Sequence, residues 1–532
     1  MTIVSFRFLL FVIVVVLAYY IVPKKKRWTI LLIGSYVFYF FNGKWLLTVL
    51  LATSLLTYSF GLIIQCENDR YQGYLSSHGD ISRAEKKALK EKLKKKNRRI
   101  VFLEIVTVIG SLIFLKYGNF VGDNLNRLFS QMGNGWKIPY FNLLLPMGIS
   151  FYSLQAVSYI VDIYRGKIKA DRNPLKFMLF MSFFPQIIQG PIPRHNQLAN
   201  QLYEGHSFDY RKLCFGAQLI VWGFIKKLVI AERLAIPVNY LFEHNAEYSG
   251  LIVFFSVVLY GFQVYSDFSG GMDIARGVAQ MFGIELELNF RQPYHAISIE
   301  DYWRRWHITM GSWMKDYVFF PLSLSKAFTH LSRKSRKALG QFAGKRLPAF
   351  MAMFIVYFCV GIWHGADWKY IIYGLWNGIF IMTSLLLENA YAKTRTICRI
   401  NEDTDSWRLF RRIRTFVIVS FGRFFTGSKD LDTAFSMFGR TFRNWRDITF
   451  ITDGSLLRIG LNNANWILLG LLIMILFYVD YKHEQGFSFR EVIAEQHLVF
   501  RWAIYIVAIL VILIFGYYGP EYVASSFIYE QF

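Results

Sequence analysis

The chain has 532 residues, 54% of them hydrophobic and 18% aromatic, with a mean hydropathy of +0.31. Apolar runs recur along most of its length, which excludes an ordinary soluble domain and defines an integral membrane protein. The net charge of +24 and pI near 9.7 do not indicate a nucleic-acid partner, because no binding module is present and the excess sits in clusters beside the apolar runs.

In chain order, spans are predicted near 8–21, 28–64 (long enough for two), 100–115, 143–163, 177–189, 215–230, 251–265, 349–363, 370–387, 416–425, 467–479 and 502–517. Several are short or punctuated by Gly and Pro. These are expected to be re-entrant or broken where protein, not lipid, covers their backbone. The first run lacks a basic leader and a small-residue cleavage site and continues into Pro23, Lys24, Lys25, Lys26 and Arg27. It reads as a retained helix with the basic run in the cytoplasm and Met1 outside. Residues 82–99, "SRAEKKALKEKLKKKNRR", are good helix formers with Glu91 and Lys95 at i,i+4. They predict a basic cytoplasmic helix lying on anionic headgroups, or docking an acidic carrier protein or a phosphate-bearing donor. Cys66, Cys214, Cys359 and Cys398 have no CxxC spacing, so neither a metal site nor a disulfide framework is implied.

Three regions place polar residues where contact with lipid would cost about 2.5–3.5 kcal/mol per charge, and so predict a protein-lined interior. In "FMSFFPQIIQGPIPRHNQL" (180–198), Pro185, Pro191 and Pro193 require the helix to bend or unwind, making Gln186, Gln189, Arg194 and His195 candidates to line a cavity. For Arg194 and His195 a plain loop at a helix end is an equal reading. In "YSDFSGGMDIARG" (265–277), the pair Gly270 and Gly271 permits a sharp turn between Asp267 and Asp273. In "SIEDYWRRWH" (298–307), Ser298 and Asp301 form a helix-start signature, Trp303 and His307 share a helical face, and Arg304 and Arg305 pair with Glu300 or Asp301 or anchor at the headgroups. In "GIWHGADW" (361–368), His364 stands among small residues that allow close approach of another backbone or a ligand.

An imidazole has an unperturbed pKa of about 6.5 and is the usual base for activating a hydroxyl. Attack of that hydroxyl on a thioester also needs donors for the developing oxyanion. Either His364 or His307 serves as base in this reading, with the other histidine, a Trp N–H or Asn377 orienting the acyl group. No GxSxG elbow is present, which favours direct transfer in a ternary complex.

Taken in order, "FFPQIIQGPIPR", "YSDFSGGMDIARG", "LNFRQPY", "DYWRRWHITMGSWMKDYVFFPL" and "GIWHGADW...GLWNG" resemble the membrane-bound O-acyltransferase family. The resemblance runs from about 144 to 377 and is to the bacterial polysaccharide and cell-wall branch. It implies an all-α polytopic membrane protein, a ring of about eleven transmembrane helices with shorter re-entrant ones enclosing a tunnel and a funnel. It divides the chain into N-terminal helices (1–143), a catalytic core (144–390) and C-terminal helices (391–532). It makes His364 and His307 catalytic; Gln186, Gln189, Arg194, Trp303 and Asn377, read from the residues themselves as lining or orienting groups, are the substrate-binding candidates. The donor it implies is a cytoplasmic acyl thioester, acetyl-CoA, with no bound cofactor, and the acceptor is an exported polysaccharide or cell-wall glycan. An extracytoplasmic acetyltransferase partner completes the transfer, and the setting is a bacterial cell membrane. "FGRFFTGSKDLDTAFSMFGRTF" (421–442) is similar to the acetylating branch, as is the terminal "SSFIYEQF", in which Tyr529 is an acyl-relay residue or an interfacial anchor. Glu530 stands where that motif has an aromatic. D-alanyl transfer to teichoic acid is the sibling alternative. A transporter or flippase is the alternative from another class, against which no inverted hydropathy repeat is seen.

Overall fold

The computed structural model describes residues 2–518 except 134, 188 and 447; Tyr529 lies outside the described residues. Among the described residues the chain is helical, with no strand and a single isolated bridge between Phe290 and Trp306. Seven helical stretches are long and apolar enough to cross a membrane, eight if the bent pair Trp368–Leu386 and Glu388–Ile397 is one span. The chain forms two compact units, one of residues up to Ala217 with Ala275–Glu287, the other of Gln218–Ile274 with the residues from Leu288 onward.

In the first unit Phe6–Ile21 is followed by Arg27–Gly43 and Leu47–Ser77, the two helices expected of the long second run. The basic stretch is not a helix of its own. It is the first part of Arg83–Gln131, 49 residues started by Ser82 accepting from the Glu85 N–H, because no breaker separates the lysine run from the apolar one. At 1.5 Å per residue this helix is roughly 70 Å long, more than twice the hydrocarbon thickness. It lies against Leu47–Ser77 through polar rungs: Lys96 to Glu67 at 2.7 Å, Asn97 to Asn68 at 2.9 Å, and buried Thr57 to Glu104 at 3.2 Å. The proline-rich region breaks as predicted, into Pro174–Ser182, Phe184–Ile187 and His195–Tyr203. Gly148 opens Ile149–Tyr164 at φ +73°, where a side chain would strike the Ile187 carbonyl.

In the second unit the Gly270–Gly271 turn is not made. Leu251–Met281 is one helix, and the glycine serves packing instead: a Cβ at Gly270 would lie 2.9 Å from the Gly223 carbonyl and 3.2 Å from the Lys227 nitrogen. The facing segment contains a π-helical stretch, Ile225–Ala231, whose Lys226 and Lys227 turn toward it. Lys227 reaches Asp267 at 2.5 Å and Glu232 at 2.7 Å, and Lys226 reaches Asp273 at 2.6 Å and Ser269 at 2.9 Å. All three members of the Lys227 group are at most 2% exposed, so this is an ion cluster in the interior. Replacing Lys227 by Met removes the cation both carboxylates share and is expected to cost about 3–5 kcal/mol of stability, read as a lowered thermal midpoint of purified protein.

Further along, Lys326–His364 is interrupted at Gly340 (φ 75°), and the part long and apolar enough to cross a membrane is Gly344–His364. It packs against Trp368–Leu386 through glycines on both helices. A Cβ at Gly361 would lie 2.7 Å from the Tyr370 carbonyl, one at Gly378 2.8 Å from Tyr357 Cβ, and one at Gly374 on the Tyr357 carbonyl itself. Of the two readings of the small residues around His364, the structure shows the backbone one.

Candidate active site

His364 ends the Lys326–His364 helix, 3% exposed, because Gly365 leaves the helical conformation and Asp367 then starts Trp368–Leu386 by accepting from the Lys369 N–H at 2.9 Å. The close helix pairing fixes what surrounds the ring. Trp363 and Tyr373 meet it edge-on, at centroid distances of 5.2 and 5.4 Å. Asn377 is one turn beyond Tyr373 and is buried, its amide donating to the Tyr373 carbonyl at 2.9 Å, so it holds the helix locally.

His307 arrives from a different direction. Ser298 accepts from the Asp301 N–H at 3.1 Å and Asp301 takes the Ile297 N–H at 3.1 Å, a capping arrangement one residue displaced from the expected box. Arg304 pairs with Glu300, and Arg305 with Asp301 at 3.1 Å. Arg305 also grips Glu484 with two nitrogens, at 2.7 and 2.9 Å, a partner the local sequence gave no sign of. The shared face of Trp303 and His307 is not found. The helix stops at Arg305, Trp306 is extended, and His307 takes the left-handed conformation (φ 49°, ψ 50°). The cause is a second strand of chain: Arg291 N–H donates to the Arg305 carbonyl at 2.9 Å and Ile308 N–H to the Asn289 carbonyl at 3.0 Å, and these bonds draw 305–308 out of the helix.

The two histidines nevertheless meet the same side chain. His307 lies edge-on to Trp363 at 5.2 Å and to Phe268 at 5.0 Å, and is wholly buried. His307 lies outside the apolar spans of the chain. Burial, and after it the neighbouring His364, hold its pKa well below the ordinary histidine value, so it is neutral in the resting protein. Trp303 completes the group through Tyr357 (5.8 Å) and Tyr373 (6.5 Å), and its buried indole nitrogen has no hydrogen-bond acceptor among the described residues. Two imidazoles and a spare indole donor thus share one aromatic nest, the inventory that a proton transfer with oxyanion stabilisation requires.

Gln186, Gln189 and Arg194 belong to the first unit. Gln189 is 1% exposed with neither amide atom hydrogen-bonded among the described residues, and Gln186 keeps an unpartnered carbonyl oxygen. Buried amides in that state are poised for a polar ligand or water. His195 is different: its Nε2 meets Asp171 at 2.7 Å, and Tyr203 donates to the same oxygen at 2.7 Å, so it ties a helix start to the preceding loop. Arg194 is the residue before that helix, its backbone N–H bonded to Gln197 at 2.9 Å. Asn289 was not singled out from the sequence, though it lies in the "LNFRQPY" motif.

Residues 167–343 match the family model of the membrane-bound O-acyltransferases. His307 is inside the matched segment and His364 beyond its end. Over 347 residues the chain is 33% identical to the probable alginate O-acetylase AlgI of Pseudomonas syringae pv. tomato, covering 65% of this chain and 61% of that protein. It is 30% identical over 363 residues to the peptidoglycan O-acetyltransferase of Helicobacter pylori, covering 63% of each. The teichoic acid D-alanyltransferase of Bacillus subtilis is 28% identical over 247 residues, covering 46% of this chain and 60% of that protein. In each case the alignment spans less than two thirds of the relative's length.

Proposed function

We propose that the protein is an O-acetyltransferase of a bacterial cell membrane, moving acetyl from cytoplasmic acetyl-CoA toward an exported polysaccharide or cell-wall glycan. The observation that carries this is the meeting of buried His307 and His364 at Trp363, His307 inside the segment that matches the membrane-bound O-acyltransferase model and His364 beyond its end. In the reaction the acceptor oxygen attacks the thioester carbonyl carbon, its proton passes to an imidazole, the C–S bond breaks, and the proton leaves with the thiol. Trp303 N–H is the donor facing the developing oxyanion, and Asn377 holds Tyr373 and so the wall of the nest. Gln186, Gln189 and Arg194 line the donor or acceptor path. About eleven spans, some re-entrant, form a thinned centre with a tunnel on one side and a funnel on the other, since neither a charged thioester nor a glycan crosses roughly 30 Å of hydrocarbon. Residues 144–390 are the catalytic core. Tyr529 relays acetyl to a separate extracytoplasmic acetyltransferase that meets the polymer.

Acetyl is preferred to D-alanyl because the alignments to acetylating relatives cover 63–65% of this chain, against 46% for the D-alanyltransferase of Bacillus subtilis. The test is mass spectrometry of cell-surface glycans with and without the gene. Loss of O-acetyl groups is the expected result; loss of D-alanine esters replaces the reading with its sibling, and no acyl change overturns both.

A further inference from the structure

Asn289 is 1% exposed and has no part in the chemistry set out above, yet both its backbone and its side chain bond to the His307 turn. Its carbonyl takes the Ile308 N–H at 3.0 Å. Its side-chain oxygen takes the Thr309 N–H at 3.0 Å and the Thr309 hydroxyl at 2.9 Å, and lies 3.3 Å from His307 Nδ1. Its amide nitrogen points the other way, to Met272 Sδ at 3.5 Å. A backbone N–H can only donate, so the Thr309 bond fixes which end of the amide is oxygen. That oxygen can only accept, so His307 Nδ1 must carry the hydrogen. In the neutral ring the lone pair is then on Nε2.

We propose that Asn289 is a positioning residue that locks His307 in the Nδ1–H tautomer, making its Nε2 a proton and hydrogen-bond acceptor in the acyl-transfer site. The assignment rests on the O-acyltransferase reading for its catalytic consequence, but its structural half stands without it. In this tautomer neutral His307 has no N–H at Nε2 to give an oxyanion, so that task passes to other members of the nest, and His307 receives the hydrogen bond or proton of the acceptor hydroxyl. With His307 in the left-handed conformation, Ile308 N–H, Thr309 N–H and the His307 ring all reach this one asparagine. The titratable group facing His307 is His364; the other elements against its ring present Phe268, Trp363 and the Asn289–Thr309 pair.

The experiment uses the full-length protein in nanodiscs. Asn289→Asp keeps the accepting oxygen and adds a negative charge, which favours imidazolium. A base must be unprotonated, so the acid limb of kcat/KM with acetyl-CoA is expected to move to higher pH by about 1–2 units, with plateau kcat kept within about tenfold. Asn289→Leu is expected to lower kcat at least about 100-fold at unchanged KM. Independently of activity, 15N spectra of histidine-labelled wild type, assigned with His307→Gln, are expected to show His307 protonated at Nδ1. An Nε2–H signal overturns the proposal even if transfer is robust. So does an Asn289→Asp pH profile that superimposes on wild type. Absence of acyl transfer in wild type together with an Nδ1–H signal refutes the function and leaves the lock intact.

Discussion

Replacing His364 by Gln is expected to remove acetyl transfer, lowering kcat/KM by about 10²–10⁴ while the protein still inserts and elutes as a single folded species. Gln nearly preserves the volume between Trp363 and Tyr373, so a loss of turnover reports the missing imidazole and not a collapsed nest. His364→Ala is expected to give the same kinetic loss with some further loss of stability from the cavity. The measurement is transfer from radiolabelled acetyl-CoA by reconstituted protein, with the thermal midpoint recorded for each variant. A transporter would survive either change with altered affinity; retained transfer in His364→Gln removes the catalytic assignment.

Gly374→Val is expected to be the most damaging substitution away from the histidines. The new Cβ would coincide with the Tyr357 carbonyl at the closest point between Gly344–His364 and Trp368–Leu386. Two backbones must separate to admit it, a cost of about 3 kcal/mol or more. Because Tyr373 is adjacent and His364 ends the facing helix, the shift also opens the nest, so activity falls further than folded yield. Equal losses of yield and activity per cell, with normal specific activity in the purified fraction, contradict the coupling between this helix contact and the site.

What the sequence made legible follows from the range of the forces involved. The proline break after Ser182 and the Ser298 helix start are set within a few residues, by missing N–H groups and a capping hydroxyl, and each is found; of the predicted spans, seven stretches among the described residues are long and apolar enough to cross a membrane. Gly270 was misread because glycine marks a turn and a close helix crossing with the same letter; only the partner, Gly223, 47 positions earlier, decides. The left-handed His307 was hidden for the same reason. "DYWRRWH" has nothing against continuing as a helix, and what stops it is Asn289 and Arg291, bonded to residues 19 and 14 positions further along the chain. Histidine and tryptophan identities pointed at the nest, whereas the tautomer that gives His307 its direction is a tertiary fact.

The Lys227, Asp267 and Glu232 group has a bearing on how the chain is made. A ribosome delivers Tyr210–Glu243 first, with two adjacent ammonium groups near its middle; Glu232 answers Lys227 from the same helix, whereas Asp273, the acid that answers Lys226, comes with the next one. Partitioned alone, the Lys226 charge opposes release into the bilayer, and the earlier helix is expected to wait at the translocon until Leu251–Met281 emerges and the two leave as a neutralised hairpin.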